Sequence, residues 1–125
     1  MAKTVLITGA STGIGKAAAE HFLAQGCNVV ATMRSPERST LAVAEALLVT
    51  ALDVTDEASM DAAIAAASER FGSLDAVVNN AGYGLTGTFE SMSDEQIRRQ
   101  FETNVFGLMT MCRKTIPLLR DTQGA

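Results

Sequence analysis

Three glycines near the start of the chain stand at a spacing that suits binding of a phosphate group. They belong to the segment Thr8-Gly9-Ala10-Ser11-Thr12-Gly13-Ile14-Gly15, which lies between an apolar run and an amphipathic stretch. Glycine permits positive φ angles, a close approach of the backbone to a ligand, and tight packing of a helix on a strand. A helix that begins here would direct free N–H groups and the positive end of its dipole at a pyrophosphate. We therefore predict a pyrophosphate-binding turn at residues 9–15; a glycine-rich turn without a ligand is the alternative.

Polar residues also follow two later apolar runs. Asp53 and Val54 come after the third run, and Asn79-Asn80-Ala81-Gly82 closes the fourth. Ligands of doubly wound sheets bind at the carboxyl ends of the strands, so we expect these residues beside the glycine turn, although local turn or cap roles are the alternative. Asn104 lies about eleven residues inside a predicted helix, where asparagine is a poor helix former. This position indicates a specific polar contact; an exposed helical asparagine is the alternative.

The elements that must position these residues repeat one pattern, in which a short apolar run is followed by a polar turn and a helical segment. The predicted strands are Thr4–Thr8, Asn28–Met33, Ala46–Ala51 and Leu74–Asn79. Each is almost continuously apolar, as is typical of a parallel sheet covered by helices on both faces. Right-handed crossovers then predict an α/β fold with a Rossmann-type, doubly wound sheet in the strand order 3-2-1-4. We expect residues 1–125 to form a single domain.

Helix signals follow the first and third strands. The first helix is expected to begin within residues 13–15 and to end at Gly26, which suits a left-handed cap. The third is expected to begin after Thr55 as its cap and to end at Gly72. Both helices would then connect neighbouring parallel strands.

Two further helices carry start signals of other kinds. The second is expected to have Ser35 as its cap and Pro36 at its first position. The fourth opens with a capping box at residues 93–96, and Pro117 is expected to kink its last turns. Its predicted apolar stripe consists of Ile97, Phe101, Val105, Leu108, Cys112 and Ile116.

The composition excludes several classes of protein. Of the 125 residues, 47% are hydrophobic and 19% are charged, a balance typical of a folded domain. The net charge of −4, without a Lys/Arg cluster, argues against a nucleic-acid partner. No apolar run has the length of a secretory signal or a membrane span, so we expect a cytoplasmic protein. Cys27 and Cys112 are far apart in sequence, and no metal or disulfide site is expected.

The glycine spacing Gly-x3-Gly-x-Gly resembles the Thr-Gly-x3-Gly-Ile-Gly signature of the short-chain dehydrogenase/reductase family. Three further segments resemble motifs of that family in the same order. Asp53-Val54 resembles its adenine-contacting pair, residues 79–82 resemble its Asn-Asn-Ala-Gly motif, and Asn104 matches the helix asparagine of its catalytic tetrad. The resemblance spans essentially the whole chain.

This resemblance implies hydride exchange between a nicotinamide cofactor and a small carbonyl or alcohol substrate, with a Ser and a Tyr-x3-Lys pair as the catalytic groups. The single tyrosine, Tyr83, is followed four positions later by Gly87, and the chain ends at Ala125, where a fifth strand would begin. We therefore expect residues 1–125 to bind the cofactor without catalysis. The fourth strand would become a sheet edge, and a homo-oligomer is expected. A non-catalytic nucleotide-binding or assembly module is the alternative, and an FMN-binding flavodoxin-like protein is a weaker one.

The end of the second strand indicates which dinucleotide is bound. NAD-binding proteins place Asp or Glu there for the ribose 2′-OH, whereas a cation accommodates the 2′-phosphate of NADP. This chain has Met33 followed by Arg34, whose planar guanidinium can bind phosphate in a bidentate manner. Ser11 and Thr12 supply hydroxyl donors to the same end of the cofactor. The sequence thus favours NADP(H), with NAD(H) possible; a solvated arginine is the alternative for Arg34.

Overall fold

A computed structural model describes residues 2–125, in which four parallel strands form one sheet. The strands are β1 (Thr4–Ile7), β2 (Asn28–Met33), β3 (Leu47–Ala51) and β4 (Ala76–Val78), and they lie in the order β3-β2-β1-β4. In the centre of the sheet, Leu6 lies opposite Val30 of β2 and Val77 of β4. The predicted doubly wound sheet and its strand order are confirmed.

Helices cover both faces of this sheet. On one face, α1 (Gly13–Ala24) places Ala19 against Ile7 and Val29. On the other face, α2 (Glu57–Phe71) and α4 (Leu108–Thr122) pack on Leu6 and Val30 through Met60 and Met111. All four residues of β1 are buried, which explains why its sequence is apolar at successive positions rather than at alternate ones.

The ends of α1 and α2 follow the glycine signals, but the cap of α2 differs from the prediction. Gly26 and Gly72 have φ angles of 84° and 85°, positive values that favour glycine at the end of each helix. The expectation that Thr55 caps α2 is wrong, because the carboxylate of Asp56 accepts the N–H of Ala58 at 3.1 Å. Thr55 instead donates to Asp53, two residues before it.

The second predicted helix is only a 3-10 turn, Pro36–Arg38. Pro36 does stand at the start of this turn, but the Ser35 side chain makes no capping hydrogen bond. Immediately after the turn, Ser39 is extended, and its hydroxyl accepts the N–H of Leu41 at 3.2 Å. Such a local bond competes with helix propagation, and Leu41 is buried in the core instead.

The fourth predicted helix is divided by a wider turn. A capping box at Ser93 and Gln96 opens α3 (Asp94–Phe101), as predicted, and a π-helical segment at Glu102–Gly107 leads into α4. The expected irregularity at Pro117 is thus replaced by one near Asn104, and α4 continues through Pro117. Pro117 lies on the exposed side of α4, so the carbonyl that loses its amide partner there is open to solvent.

The predicted apolar stripe of this helix is not the face that packs on the sheet. The residues buried from the π-helical segment onward are Gly107, Met111 and Thr115. Phe101, Val105, Leu108 and Ile116 are instead exposed. The stripe assumed a regular period of 3.6 residues, and the π-helical segment adds a residue to one turn and shifts every later position around the axis.

The last residue of the chain pairs with β4. Ala125 donates its N–H to the carbonyl of Asp75 at 2.9 Å and accepts the N–H of Val77 at 2.9 Å. The Thr122 hydroxyl also donates to the carbonyl of Leu74 at 2.8 Å. The edge expected at the fourth strand is therefore partly covered. None of the helices within residues 2–125 has the length and apolar character needed to cross a membrane.

Candidate functional site

A cleft of about 700 Å³ opens at the carboxyl end of the sheet, beside the glycine turn. It brings together most of the side chains and backbone segments singled out from the sequence, namely Gly9, Ser11, Thr12, Ile14, Arg34, Asp53, Val54, Ala81 and Gly82. Four others do not line it: Gly13, Gly15, Asn79 and Asn104. Gly13 contributes through its backbone conformation, and the other three through the contacts described below.

The glycine turn leaves the amino terminus of α1 open toward the cleft. Gly9 and Gly13 have φ angles of 66° and 59°, a conformation that favours glycine. At Gly15, a Cβ atom would overlap the carbonyl oxygen of Gly9 and approach Asn80 Nδ2 at 2.5 Å, so glycine lets α1 pack closely on the turn. Thr12 precedes the helix and makes no side-chain capping bond. Unpaired N–H groups at this helix start provide a fitting site for an anion.

A hydrogen-bond network ties this turn to the segment after β4. The Thr8 hydroxyl accepts the N–H groups of Asn80 and Ala81, both at 3.0 Å. The Asn80 side chain donates to the carbonyls of Thr8 and Gly9 at 3.1 Å and 3.0 Å. Thr8 is 1% exposed, so these bonds are largely shielded from water. Asn80 thus holds the two walls of the cleft together, while Asn79 donates to Cys112 Sγ at 3.7 Å.

Asp53 is a half-buried carboxylate on the opposite wall of the cleft. Its Oδ1 atom accepts the Thr55 hydroxyl at 2.7 Å and the Thr55 backbone N–H at 2.9 Å. These bonds, above all the one from the hydroxyl, hold the pKa of Asp53 below its ordinary value. Burial of the carboxylate acts in the opposite direction and raises the pKa, whereas the charge of the nearby Arg34 lowers it further. The turn role that was the alternative for Asp53 is present, and the carboxylate lines the cleft as well.

Asn104 forms a paired contact with the backbone of Tyr83. Its Oδ1 atom accepts the Tyr83 N–H at 3.0 Å, and its Nδ2 atom donates to the Tyr83 carbonyl at 2.7 Å. Gln100 Nε2 donates to the same carbonyl at 3.3 Å. Asn104 is therefore more than an exposed helical asparagine, because its side chain fixes the backbone of Tyr83, the residue that follows the Asn-Asn-Ala-Gly segment.

The cleft also has lining residues that the sequence analysis did not select. They are Leu52, Arg99 and Thr103. Asn80, from the Asn-Asn-Ala-Gly segment expected beside the turn, also lines the cleft, as do Met33, considered for its lack of charge, Thr55, expected as a helix cap, and Tyr83. Arg99 and Thr103 stand four residues apart, a spacing that places two helical side chains on one face. This spacing could have indicated that Arg99 and Thr103 lie on the same helix face. The prediction from the sequence instead assigned the faces of this helix from its apolar residues alone. The Arg99 guanidinium donates to Glu95 at 2.8 Å.

Comparison with known proteins gives one consistent result. The short chain dehydrogenase family matches residues 3–125. The chain is 44% identical over 119 residues to an uncharacterised oxidoreductase of Schizosaccharomyces pombe, a match that covers 95% of this chain and 40% of that protein. It is 36% identical to a 3-ketodihydrosphingosine reductase of Bacteroides thetaiotaomicron, covering 95% of this chain and 43% of that protein.

Solved structures give the same picture. A 3-ketoacyl-(acyl-carrier-protein) reductase from Brucella melitensis complexed with NADH matches with a TM-score of 0.89 and 38% identity, over 96% of this chain and 51% of that chain. The protein ElxO with NADP bound matches with a TM-score of 0.88 and 30% identity, over 100% of this chain and 53% of that chain. The chain spans about half, or less, of the length of the proteins it matches.

The Thr8 hydroxyl should be measurable as a stabilising contact. Thr8→Val keeps the shape of the side chain but removes the acceptor for two backbone N–H groups. We expect the free energy of unfolding to fall by about 1–3 kcal/mol, the cost of leaving buried donors unpaired. Thr8→Ser retains the hydroxyl and is the matched control. Urea unfolding of the three proteins measures the difference, and equal stability of Thr8→Val and wild type would contradict the role given to this hydroxyl.

The Asp53 carboxylate should make stability depend on pH in the acid range. Its pKa is lower in the folded than in the unfolded state, so its contribution is complete above the unfolded value of ~3.9. The contribution is lost as the pH falls through the folded value. We expect the difference in unfolding free energy between wild type and Asp53→Asn to shrink as the pH falls from about 5 to about 2. A difference that stays constant across this range, measured by urea unfolding, would refute the assignment.

Proposed function

Because the chain belongs to the short-chain dehydrogenase family, we propose that residues 1–125 are the NADP(H)-binding part of an oxidoreductase. The proposed reaction of the whole protein is hydride transfer between NADP(H) and a carbonyl or alcohol substrate. The observation that carries this proposal is the cleft at the carboxyl ends of the strands, in which the glycine turn and the amino terminus of α1 form one wall. We treat residues 1–125 as one dinucleotide-binding domain.

Each part of the dinucleotide has chemically suitable residues in the cleft. The diphosphate is assigned to the turn at residues 9–15, where backbone N–H groups and a helix dipole favour negative charge. The adenosine is assigned to the side lined by Arg34, Asp53 and Val54, with Ser11 and Thr12 as hydroxyl donors. Gly82 and Ala81 are assigned to the floor beside the ribose and nicotinamide. The lack of a carboxylate in the first turn of α1 supports the diphosphate assignment.

The preference for NADP(H) over NAD(H) rests on the charges at the end of β2. Both Met33 and Arg34 line the cleft, so a cation stands where a ribose-binding carboxylate would otherwise be expected. The pKa of Asp53 is lowered mainly by its hydrogen bonds from Thr55 and to a smaller extent by the charge of the nearby Arg34. We assign both side chains to the adenosine side. NAD(H) remains a possible second cofactor, bound more weakly.

The bound nicotinamide would supply or accept the hydride. Among the residues of this chain, Asn104 is assigned a positioning role, because its amide holds both backbone polar groups of Tyr83. Tyr83 lines the cleft, so this contact sets the position of the wall at which a substrate would enter. The family's proton donor is a tyrosine followed four residues later by lysine, and Tyr83 is followed by Gly87. Residues 1–125 are therefore proposed to bind cofactor without completing the reaction.

The proposed partners are a small carbonyl or alcohol substrate and a second copy of the protein. Apolar side chains along α3, the π-helical segment and α4 are exposed, among them Phe101, Phe106 and Met109 at 51%, 50% and 50%. Exposed large apolar side chains on consecutive helical turns are typical of a contact surface between subunits. A cytoplasmic location belongs to the same proposal, because the enzyme needs a compartment that supplies its cofactor.

Calorimetric titration tests the cofactor assignment directly. We expect NADP⁺ to bind the folded chain, and NADPH to bind more tightly than NADH. Arg34→Ala should weaken NADPH binding by about 10- to 100-fold, the effect of losing a charge-assisted contact to phosphate, and leave NADH binding nearly unchanged. Arg38→Ala is the matched control, because Arg38 lies in the neighbouring 3-10 turn and does not line the cleft. Absence of heat with millimolar dinucleotide would overturn the proposed function.

A turnover assay tests the proposed lack of a proton donor. We expect the 125-residue chain, shown to bind NADPH, to oxidise it no faster than the blank when ketones or aldehydes are added. Absorbance at the reduced nicotinamide band is the measurement, and a heat-denatured sample is the control. A clear protein-dependent rate would mean that a group within residues 1–125 donates the proton.

A further inference from the structure

Gly107, the last residue of the π-helical segment, is the point at which this segment touches the loop after β3. It is buried, and a Cβ atom added to it would lie 2.6 Å from the carbonyl oxygen of Val54 and 2.9 Å from the Val54 Cβ atom. Its φ and ψ angles of −61° and −44° are those of an ordinary helical residue, so the backbone conformation does not require glycine. Glycine is instead required by the close approach to Val54.

The same segment holds the chain on the other side of the cleft. Asn104, three residues before Gly107, binds the N–H and the carbonyl of Tyr83 at 3.0 Å and 2.7 Å. Gly82 permits this approach as well, because a Cβ atom there would lie 3.0 Å from Asn104 Oδ1. The π-helical segment is thus in close contact with Val54 through Gly107 and with Tyr83 through Asn104.

The sheet itself does not connect these two parts of the cleft wall. Val54 follows β3 and Tyr83 follows β4, which are the two edge strands in the order β3-β2-β1-β4. Both residues line the cleft, whereas Gly107 and Asn104 do not. Because the contact at Gly107 is made by backbone atoms, it has no flexible side chain that could absorb a displacement of Val54. The π-helical segment therefore fixes the two walls relative to each other.

We propose that Gly107 is a positioning residue: its contact with Val54 sets the place at which Asn104 holds Tyr83, and so couples the adenosine side of the cleft to the side at which a substrate would enter. The assignment of those two sides rests on the proposed function, whereas the contact itself does not. Coupling of this kind is reciprocal. A ligand that packs on Val54 should hold Tyr83 more firmly, and loss of the Asn104 contact should weaken binding of that ligand.

Nuclear magnetic resonance of protein labelled at the tyrosine nitrogen tests the contact without any ligand. Tyr83 is the single tyrosine, so the spectrum contains one labelled amide signal, from the N–H that Asn104 accepts. We expect Gly107→Ala to displace the π-helical segment, lengthen this hydrogen bond and move the amide proton signal upfield. Alanine is the better helix former, so helix propensity does not cause this change. Arg113→Ala, at an exposed position of α4, is the matched control and should leave the signal in place.

Adenosine 2′,5′-bisphosphate tests the coupling, because it carries the adenosine end of NADP and lacks the nicotinamide. At saturation, we expect it to move the Tyr83 signal of wild type and to move that of Gly107→Ala less. Asn104→Ala tests the same link from its other end, and it applies even if Gly107→Ala does not fold. Although Asn104 lies outside the cleft, we expect this variant to bind the bisphosphate about fivefold or more weakly in a calorimetric titration.

A merely structural role of Gly107 would weaken binding without changing how the Tyr83 signal responds to saturating ligand. Coincident Tyr83 signals of Gly107→Ala and wild type, or equal affinities of Asn104→Ala and wild type for the bisphosphate, would overturn the inference. Failure of folded wild type to bind the bisphosphate or NADPH would overturn the proposed function, and the coupling to a ligand with it. The ligand-free comparison decides by itself whether Gly107 positions Tyr83.

Discussion

The hydrogen bonds between Thr8 and Asn80 are the constraint on which the site depends. They join the carboxyl end of β1 to the segment that follows β4, the two places from which the glycine turn and the cleft floor extend. Gly9 lies between them with a positive φ, and a Cβ there would come within 2.9 Å of Ala81 Cα. The turn is therefore shaped by contacts within the protein itself. Preorganisation of this kind reduces the entropy cost of binding.

The electrostatics of the cleft differ from those of the chain as a whole. The chain carries a net charge of −4, yet the charged residues that line the cleft are Arg34, Arg99 and Asp53. Two cations, one anion and the positive end of α1 make the local balance favourable for a phosphate-rich ligand. The one anion is largely satisfied by Thr55, so it opposes the ligand less than an unpaired carboxylate would. A global charge count is thus a poor guide to what this site attracts.

Signals carried by local sequence predicted the strands, the sheet order and much of the cleft wall. The apolar run at residues 28–33 identified β2, and the residues next to strand ends, such as Arg34 and Asp53, do line the cleft. The sequence could not show that Ser39 would bond to Leu41 and stop the second helix. It also could not rank two adjacent candidates for one cap, because Thr55 and Asp56 are both good caps and their choice depends on Asp53. Arg99 and Thr103 escaped notice because their face depends on packing that a regular period does not encode.

The π-helical segment at Glu102–Gly107 joins α3 and α4 into one uninterrupted helical stretch and changes the direction in which the side chains of α4 point relative to those of α3. Each residue of an α-helix advances about 100° around the axis, so one extra residue reorients everything beyond it. Arg99 and Thr103 face the cleft from one end, while Met111 and Thr115 enter the core from the other. Removing a single residue from this stretch would rotate one set out of place even if every side chain that lines the cleft or enters the core were kept. The number of residues between the positions that line the cleft and the positions that enter the core is therefore itself a structural determinant.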